Sequence, residues 1–344
     1  MTTDAGKKAQ WKRHNAAGGE NLILVIDIGN TTIAFTGLLQ RNPVKNGTGA
    51  ADLQVLFEKK LPTSSGRDVE TFLGKAREIL RDLVCRPEAG ALFGDAPVRP
   101  PEDRDLCVEA GYPSAGLPSA VELVSISSVV PACTPAAIAL AEKLCSLPPV
   151  VISCGCDTGL SFDRLPAPEK VGADRIADAA WAAAAYPLPA MTVDLGTATT
   201  INVIGVPETG DRGGSAEPFQ PQSGVFLGGM IGSGVRTSLQ ALRTGTAQLP
   251  ALDPVPVSPD DLIGRDTDGC MLSAAVVGTA SMIEGLAERV EELLGAGSLS
   301  LILTGGNAAP VAEWIRRRHD HEPALAAKGA ALIALRQTRQ AAQA

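Results

Sequence analysis

The hydrophobic pattern divides the chain into short apolar runs separated by amphipathic stretches. Residues 22–28, Leu-Ile-Leu-Val-Ile-Asp-Ile, form a branched apolar run that stops at Gly29 and predicts a buried strand. Residues 32–39 and 51–60 predict two more strands, with the turn-rich RNPVKNGTGA between them, as in consecutive antiparallel strands. Apolar positions at Val69, Phe72, Leu73, Ala76, Ile79, Leu80 and Leu83 recur at helical spacing and predict a helix over 68–85. Strand character returns at 121–130, then a helix at 135–144 opened by Pro135, then a short strand at 149–153.

The second half repeats the theme. An alanine-rich helix is predicted over 176–186, a buried strand over 191–195, and helices over 235–242 and 273–294. A strand over 299–303 ends at Thr304-Gly305-Gly306, and helices over 308–318 and 324–343 close the chain. Strand triplets followed by helices, occurring twice, predict an α/β architecture built on a duplicated unit. Residues 86–118 and 207–222 are rich in Pro and Gly and read as extra loops, the second as a hairpin connection. The polar stretch 1–20 reads as a flexible leader, and 22–28 is too short and too acidic for a membrane span.

Composition narrows the function. The chain has 344 residues, 45% hydrophobic and 3% aromatic, with a net charge of −8. That charge argues against a nucleic-acid partner, and the few aromatics leave little for base stacking. Seven cysteines, at 85, 107, 133, 145, 154, 156 and 270, include no C-x-x-C pair, so a reducing cytoplasm fits better than a disulfide framework or a zinc site. Cys154-Gly-Cys156 reads as small residues after a strand rather than as a redox pair. His14, His319 and His321 all lie in polar runs, which disfavours a Ser-His-Asp hydrolase.

The candidate chemistry lies in two similar segments 167 residues apart: Asp27-Ile28-Gly29-Asn30-Thr31-Thr32 and Asp194-Leu195-Gly196-Thr197-Ala198-Thr199-Thr200. Each follows an apolar run and precedes another. An aspartate at a strand end can hold a cation or its water shell, and the glycine lets backbone N–H groups approach phosphate oxygens. One such turn is also an ordinary hairpin; two at half-chain spacing point to paired phosphate binding. No G-x-x-x-x-G-K-[ST] occurs, which disfavours a P-loop NTPase. Gly172-Ala173-Asp174-Arg175 opens the alanine-rich helix. An Arg in a first helical turn opposes the helix dipole, so Arg175 points to a ligand role and Asp174 to a proton acceptor.

With these residues in view, the chain resembles the type III pantothenate kinases. D-x-G-N-T stands at 27–31, SSVVP at 127–131, VGADR at 171–175, DLGTATT at 194–200, FLGGMI at 226–231, TAQLP at 246–250, GRDT at 264–267 and LTGG at 303–306, in the family's order. The resemblance implies a duplicated ribonuclease-H-like fold of the actin-like ATPase kind, in two domains with an interdomain cleft. The expected domains are 21–150, with 86–118 inserted, and 151–344. It implies ATP-dependent phosphorylation of pantothenate, the first step toward coenzyme A, by a cytoplasmic homodimer using Mg²⁺ and a monovalent cation, K⁺ or ammonium, with no nucleic acid or membrane partner.

Carried onto this chain, the resemblance makes Asp174 the general base and Gly172, Ala173, Asp174, Arg175 and Thr267 the substrate contacts. It places ATP on Asp27, Ile28, Gly29, Asn30, Thr31, Thr32, Ile33, Ala34, Thr197, Gly305 and Gly306, and the monovalent cation on Asp194. The chain departs from the family in three places. SFDRLPAPEK, with Phe162, stands where a tyrosine usually precedes VGADR. Ser233-Gly234 replaces Pro-Gly after the GG-x-I segment, and Ser273-Ala274 replaces Ser-Gly after GRDT. Two other readings are a regulatory protein of the same fold without turnover, and a sugar or acyl kinase of the same superfamily. The intact Asp27, Asp174, Arg175 and Asp194 favour the enzyme over the first, and the VGADR–GTATT pairing disfavours the second.

Overall fold

The computed structural model describes residues 21–40, 52–66, 70–76, 121–145, 147–207 and 224–343. The expected leader at 1–20, the insertion at 86–118, the helix beyond residue 76 and nearly all of the 207–222 connection lie outside them. The chain divides into two compact units, one of residues 1–158, 171–177 and 326–344, the other of 159–170 and 178–325.

In the first unit, β1 (Asn21–Ile28), β2 (Thr32–Gln40) and β3 (Leu53–Pro62) form an antiparallel meander. β4 (Val121–Ser128) and β5 (Val150–Val151) run parallel beside β1, giving the order β3-β2-β1-β4-β5. The central strands are buried on both faces, which is why they read as continuous apolar runs. Ile23, Ile26, Phe35, Leu123 and Ile126 are fully or almost fully buried. Phe72, from the helical residues 70–76, stacks on Phe35 with ring centroids 5.7 Å apart. α1 (Thr134–Leu144), opened by Pro135, buries Ala136, Ala137, Leu140 and Ala141. Burial of a side chain the size of Phe35 stabilises by about 1.5–3 kcal/mol.

The second unit repeats the plan. β7 (Ala190–Leu195), β8 (Ala198–Gly205) and β9 (Gly224–Ser233) form the meander, and β10 (Ser300–Thr304) and β11 (Asp320–His321) lie parallel beside β7. With β6 (Leu160–Ser161) added beyond β9, the order is β11-β10-β7-β8-β9-β6. Five strands thus recur in the same order and sense, which is the duplicated ribonuclease-H-like fold expected from sequence. β6, β9 and β11 were not anticipated, and β8 only as an apolar run after the second motif. β9 carries Gly224, Gly228, Gly229 and Gly232, which dilute its apolar signal, and β11 is two polar residues long.

α2 (Ala173–Ala185) starts three residues before its periodic apolar stretch, and α4 (Thr267–Leu294) starts six before, because their first turns are polar. α3 spans Val235–Gly245, and α5 stops at Ala312, short of the expected 318. α4 is the one described helix long and apolar enough to cross a membrane. It instead contributes Met271, Val276, Ala280, Ile283, Ala287 and Val290 to the buried side of its unit, most of them packed with Val193, Leu301 and Val311. α6 (Leu325–Gln343) belongs almost wholly to the first unit, where Ser125 Oγ donates to Ala330 O at 2.9 Å and Arg336 to Thr158 O at 2.6 Å. The partition therefore differs from a single cut near residue 150, because the chain returns to its first unit at both 171–177 and 326–344.

Candidate functional site

The expected residues assemble in two sets, one in each unit. In the first unit the turn between β1 and β2 is closed by Gly29 N donating to Thr32 O at 2.9 Å. Thr63, just past β3, ties it down: its hydroxyl donates to Gly29 O at 2.6 Å and its N–H to Thr31 O at 3.0 Å. Asn30, Thr31 and Thr32 are exposed and offer polar groups outward, whereas Ile28, Ile33 and Ala34 are buried core. Those three side chains cannot touch a nucleotide, so any contribution they make is through the backbone.

Asp27 stands opposite Ala34 on β2 and Ser127 on β4. Burial pushes its pKa up from 3.8 to about 6; the neighbouring Ser127 hydroxyl holds it back in part, and the charge of Asp174 pushes it further up. The charge of Asp174 thus bears on Asp27 across 147 residues of sequence. Asp174 lies in the first turn of α2, with Oδ1 accepting the Arg175 N–H at 2.7 Å. Burial raises its pKa, opposed by the hydrogen bond and the charge of Arg175. A carboxylate raised in this way, at a helix start, is a better proton acceptor than a solvated one.

Gly172 makes room for that arrangement. A Cβ there would sit 2.5 Å from Asp174 Oδ1 and 3.3 Å from Val129 Cγ1, so the VGADR and SSVVP segments meet at this glycine. Val129 N donates to Ile28 O at 3.0 Å, and Ser128 Oγ accepts from Thr134 at 2.8 Å, which fixes the chain leaving β4.

The second set surrounds the turn between β7 and β8. Asp194 pairs with Thr200 and Leu195 with Thr199, and Gly196 N donates to Ala198 O at 3.0 Å, so this turn is one residue shorter than its counterpart. Gly305, at φ +93°, packs so closely that a Cβ would run into Asp194 Oδ1 and the Leu195 backbone. Gly306 is exposed beside it, as is Thr197. Gly29 and Gly196 themselves lie outside the positive-φ region: a Cβ at Gly196 would make ordinary contact at 3.6 Å, and one at Gly29 would press on Thr32 O at 3.3 Å. The glycine that the backbone demands is therefore Gly305, not either of the two in the repeated motif.

Four residues without an assigned role complete the turns: Thr63, Ser127, Thr237 and Asn307. Thr237 Oγ donates to Thr197 O at 2.6 Å, alongside Gly234 N at 3.2 Å. A side chain at Gly234 would strike the carbonyls of Gly196 and Thr197, so this position requires glycine. Ser127 and Asn307 belong to or adjoin the SSVVP and LTGG segments, the one signal that could have found them.

Thr267 is the exposed first residue of α4. Asp266 caps that helix by accepting Gly269 N at 2.7 Å, and Ser273 Oγ donates to Leu262 O at 2.5 Å, holding the loop before it. Phe162 is buried against Phe226, ring centroids 5.7 Å apart, so it is a core residue and no substitute for the family's tyrosine. No group of three or more His, Cys, Asp or Glu placed to hold a metal occurs among the described residues.

Comparison with known proteins follows the motifs. Residues 105–289 match the family model described as type III pantothenate kinase. The type III pantothenate kinase of Acholeplasma laidlawii is 35% identical over 212 residues, 62% of this chain and 76% of that protein. That of Acidiphilium cryptum is 32% identical over 235 residues, 67% and 78% of the two chains. Among solved structures, the activator of 2-hydroxyisocaproyl-CoA dehydratase from Clostridium difficile covers 94% of this chain and 97% of its own at 11% identity and a TM-score of 0.41.

Proposed function

This chain belongs to the type III pantothenate kinase family, and we propose on that footing that it transfers the γ-phosphoryl group of ATP to pantothenate, giving ADP and 4′-phosphopantothenate on the route to coenzyme A. The observation that carries the residue assignment is the placement of Asp174 against the chain leaving β4: a Cβ at Gly172 would meet both Asp174 Oδ1 and Val129 Cγ1, and Val129 N donates to Ile28 O at the end of β1. Asp174 takes the proton from the pantothenate hydroxyl while that oxygen bonds to the γ-phosphorus and the bond to the ADP oxygen breaks. Phosphoryl transfer asks the protein mainly to position groups and balance charge. Arg175 supplies a cation for substrate carboxylate or phosphate, and Gly172 and Ala173 leave space at the helix start.

The turn at 27–34 and the residues Thr197, Gly305 and Gly306 receive ATP, through exposed hydroxyls and backbone at the first and a glycine-lined surface at the second. The carboxylates of Asp27 and Asp174 suit a site that also takes Mg²⁺, which when bound would neutralise phosphate charge. Asp194, half-buried at a strand end, is the reading for a monovalent cation, K⁺ or ammonium. Thr267 contacts pantothenate. A homodimer is supported by the exposed apolar side chains of Leu262, Ile263, Met282 and Leu293, on or just before α4. Among the described residues, the free thiols of Cys133, Cys154, Cys156 and Cys270 accord with a cytoplasmic protein.

The test is an assay of the purified chain with ATP, Mg²⁺, pantothenate and either K⁺ or ammonium, read as phosphopantothenate by mass spectrometry. Product dependent on ATP is expected; none with any cation would overturn the kinase reading.

A further inference from the structure

The two turns hold their carbonyl groups by different means. In both units the chain leaving the fourth strand of the sheet returns an N–H to the end of the first: Val129 N to Ile28 O at 3.0 Å, and Asn307 N to Leu195 O at 3.0 Å. That backbone bond belongs to the fold. Among the described residues, the second unit alone adds a side chain to it. Asn307 Nδ2 donates to Leu195 O at 3.2 Å and to Gly196 O at 3.4 Å. Although Asn307 stands at the N-cap of α5, it makes no side-chain capping bond there, so its amide is committed to the turn.

The next carbonyl is held from elsewhere, Thr197 O accepting from Gly234 N and Thr237 Oγ. Three successive carbonyls, at 195, 196 and 197, are thus drawn toward their own unit. A trans peptide is planar, so fixing the Gly196 carbonyl on one side sends the Thr197 N–H to the other. Oriented N–H groups in a strand–turn–strand segment form a concavity suited to anions.

We propose that Asn307 is a positioning residue for nucleotide binding: its side-chain amide locks the Leu195 and Gly196 carbonyls and thereby sets the direction in which the 196–197 peptide faces the phosphates of ATP. The inference rests on the kinase reading and adds to it a residue that touches neither substrate.

Asparagine and aspartate have nearly the same shape, but aspartate cannot donate. The test compares N307D and N307A in the full-length chain, measuring the Kd of Mg·ATP by calorimetry, the KM of ATP and of pantothenate, and the unfolding midpoint. The donor role predicts that N307D weakens ATP binding about tenfold and N307A about threefold, since aspartate also repels the two carbonyls. The KM of pantothenate stays within about twofold in both. A space-filling role predicts the reverse order, with N307A the worse, and that order overturns the inference. Unchanged ATP binding in both variants, or equal losses for ATP and pantothenate, overturns it as well. If N307D does not fold, N307A decides by the same ATP-against-pantothenate split. Wild-type chain that binds no ATP overturns the kinase reading, whereas wild-type binding that both variants match overturns this inference alone.

Discussion

The β1–β2 turn and the β7–β8 turn share a strand, an aspartate and a glycine, but they are built for different work. The first has a longer loop with exposed Asn30, Thr31 and Thr32, is clamped by one threonine, and has a second carboxylate, Asp174, whose charge bears on its aspartate. The second is a residue shorter, is clamped through three carbonyls, and has Gly305 pressed against its aspartate. Duplication supplied one strand–turn–strand frame twice. What distinguishes the copies is what the rest of each unit brings to the frame: an acid pair in one, a hydrogen-bonded lock in the other.

The largest effect should come from removing the feature that only the first turn has. Asp174→Asn keeps the size of the side chain and removes the proton acceptor, and should lower kcat by roughly 10²–10⁴ without lowering the unfolding midpoint. Near-wild-type turnover would take Asp174 out of the base role.

Next in size is a pair of glycine substitutions. Gly305→Ala forces a side chain into a positive-φ position already occupied by Asp194 and should destabilise by about 2–3 kcal/mol. Gly29→Ala meets only Thr32 O at 3.3 Å and should cost less than about 1 kcal/mol. Denaturant melts of both variants check the contrast, and equal losses would break it.

Asp27 gives a pH signature. Its folded pKa of about 6 lies above its ordinary value of 3.8, so the native state holds the proton more tightly than the unfolded chain. Its contribution is therefore fully present below pH about 4 and lost as pH rises through about 6. Asp27→Asn removes that loss: the variant should match wild type at low pH and exceed it by about 1–3 kcal/mol at pH 8, while activity falls. A stability difference that does not change between pH 4 and 8 would contradict the burial argument. The smallest effect is expected for Thr63→Val, which deletes the hydroxyl bond to Gly29 O but leaves the backbone bond to Thr31 O; ATP KM should rise roughly two- to fivefold.

Much of this was legible in the chain. The buried strands announced themselves as branched apolar runs, and the repeat at 27 and 194 marked the two frames. β9 was hidden because four glycines replace the apolar residues a strand normally shows, and the first turns of α2 and α4 were hidden because they are polar. The division of the chain was hidden for another reason: α6 packs on β4, some 200 residues earlier, through a Ser125 bond that no local pattern encodes. Within the site, Asp27, Asp174 and Asp194 stood out by residue type and place. Thr63, Thr237 and Asn307 did not, since a threonine or asparagine that locks a backbone carbonyl looks like any other until the carbonyl's partner is known.

The contrast between an acid-bearing turn and a locked turn is tested most directly by measuring kcat and the Kd of Mg·ATP together in Asp174→Asn and in Asn307→Asp. The account predicts that the first loses turnover and keeps ATP binding within about twofold, while the second loses about tenfold in ATP binding and keeps kcat at saturating ATP. Parallel losses of kcat and ATP affinity in both variants would contradict it.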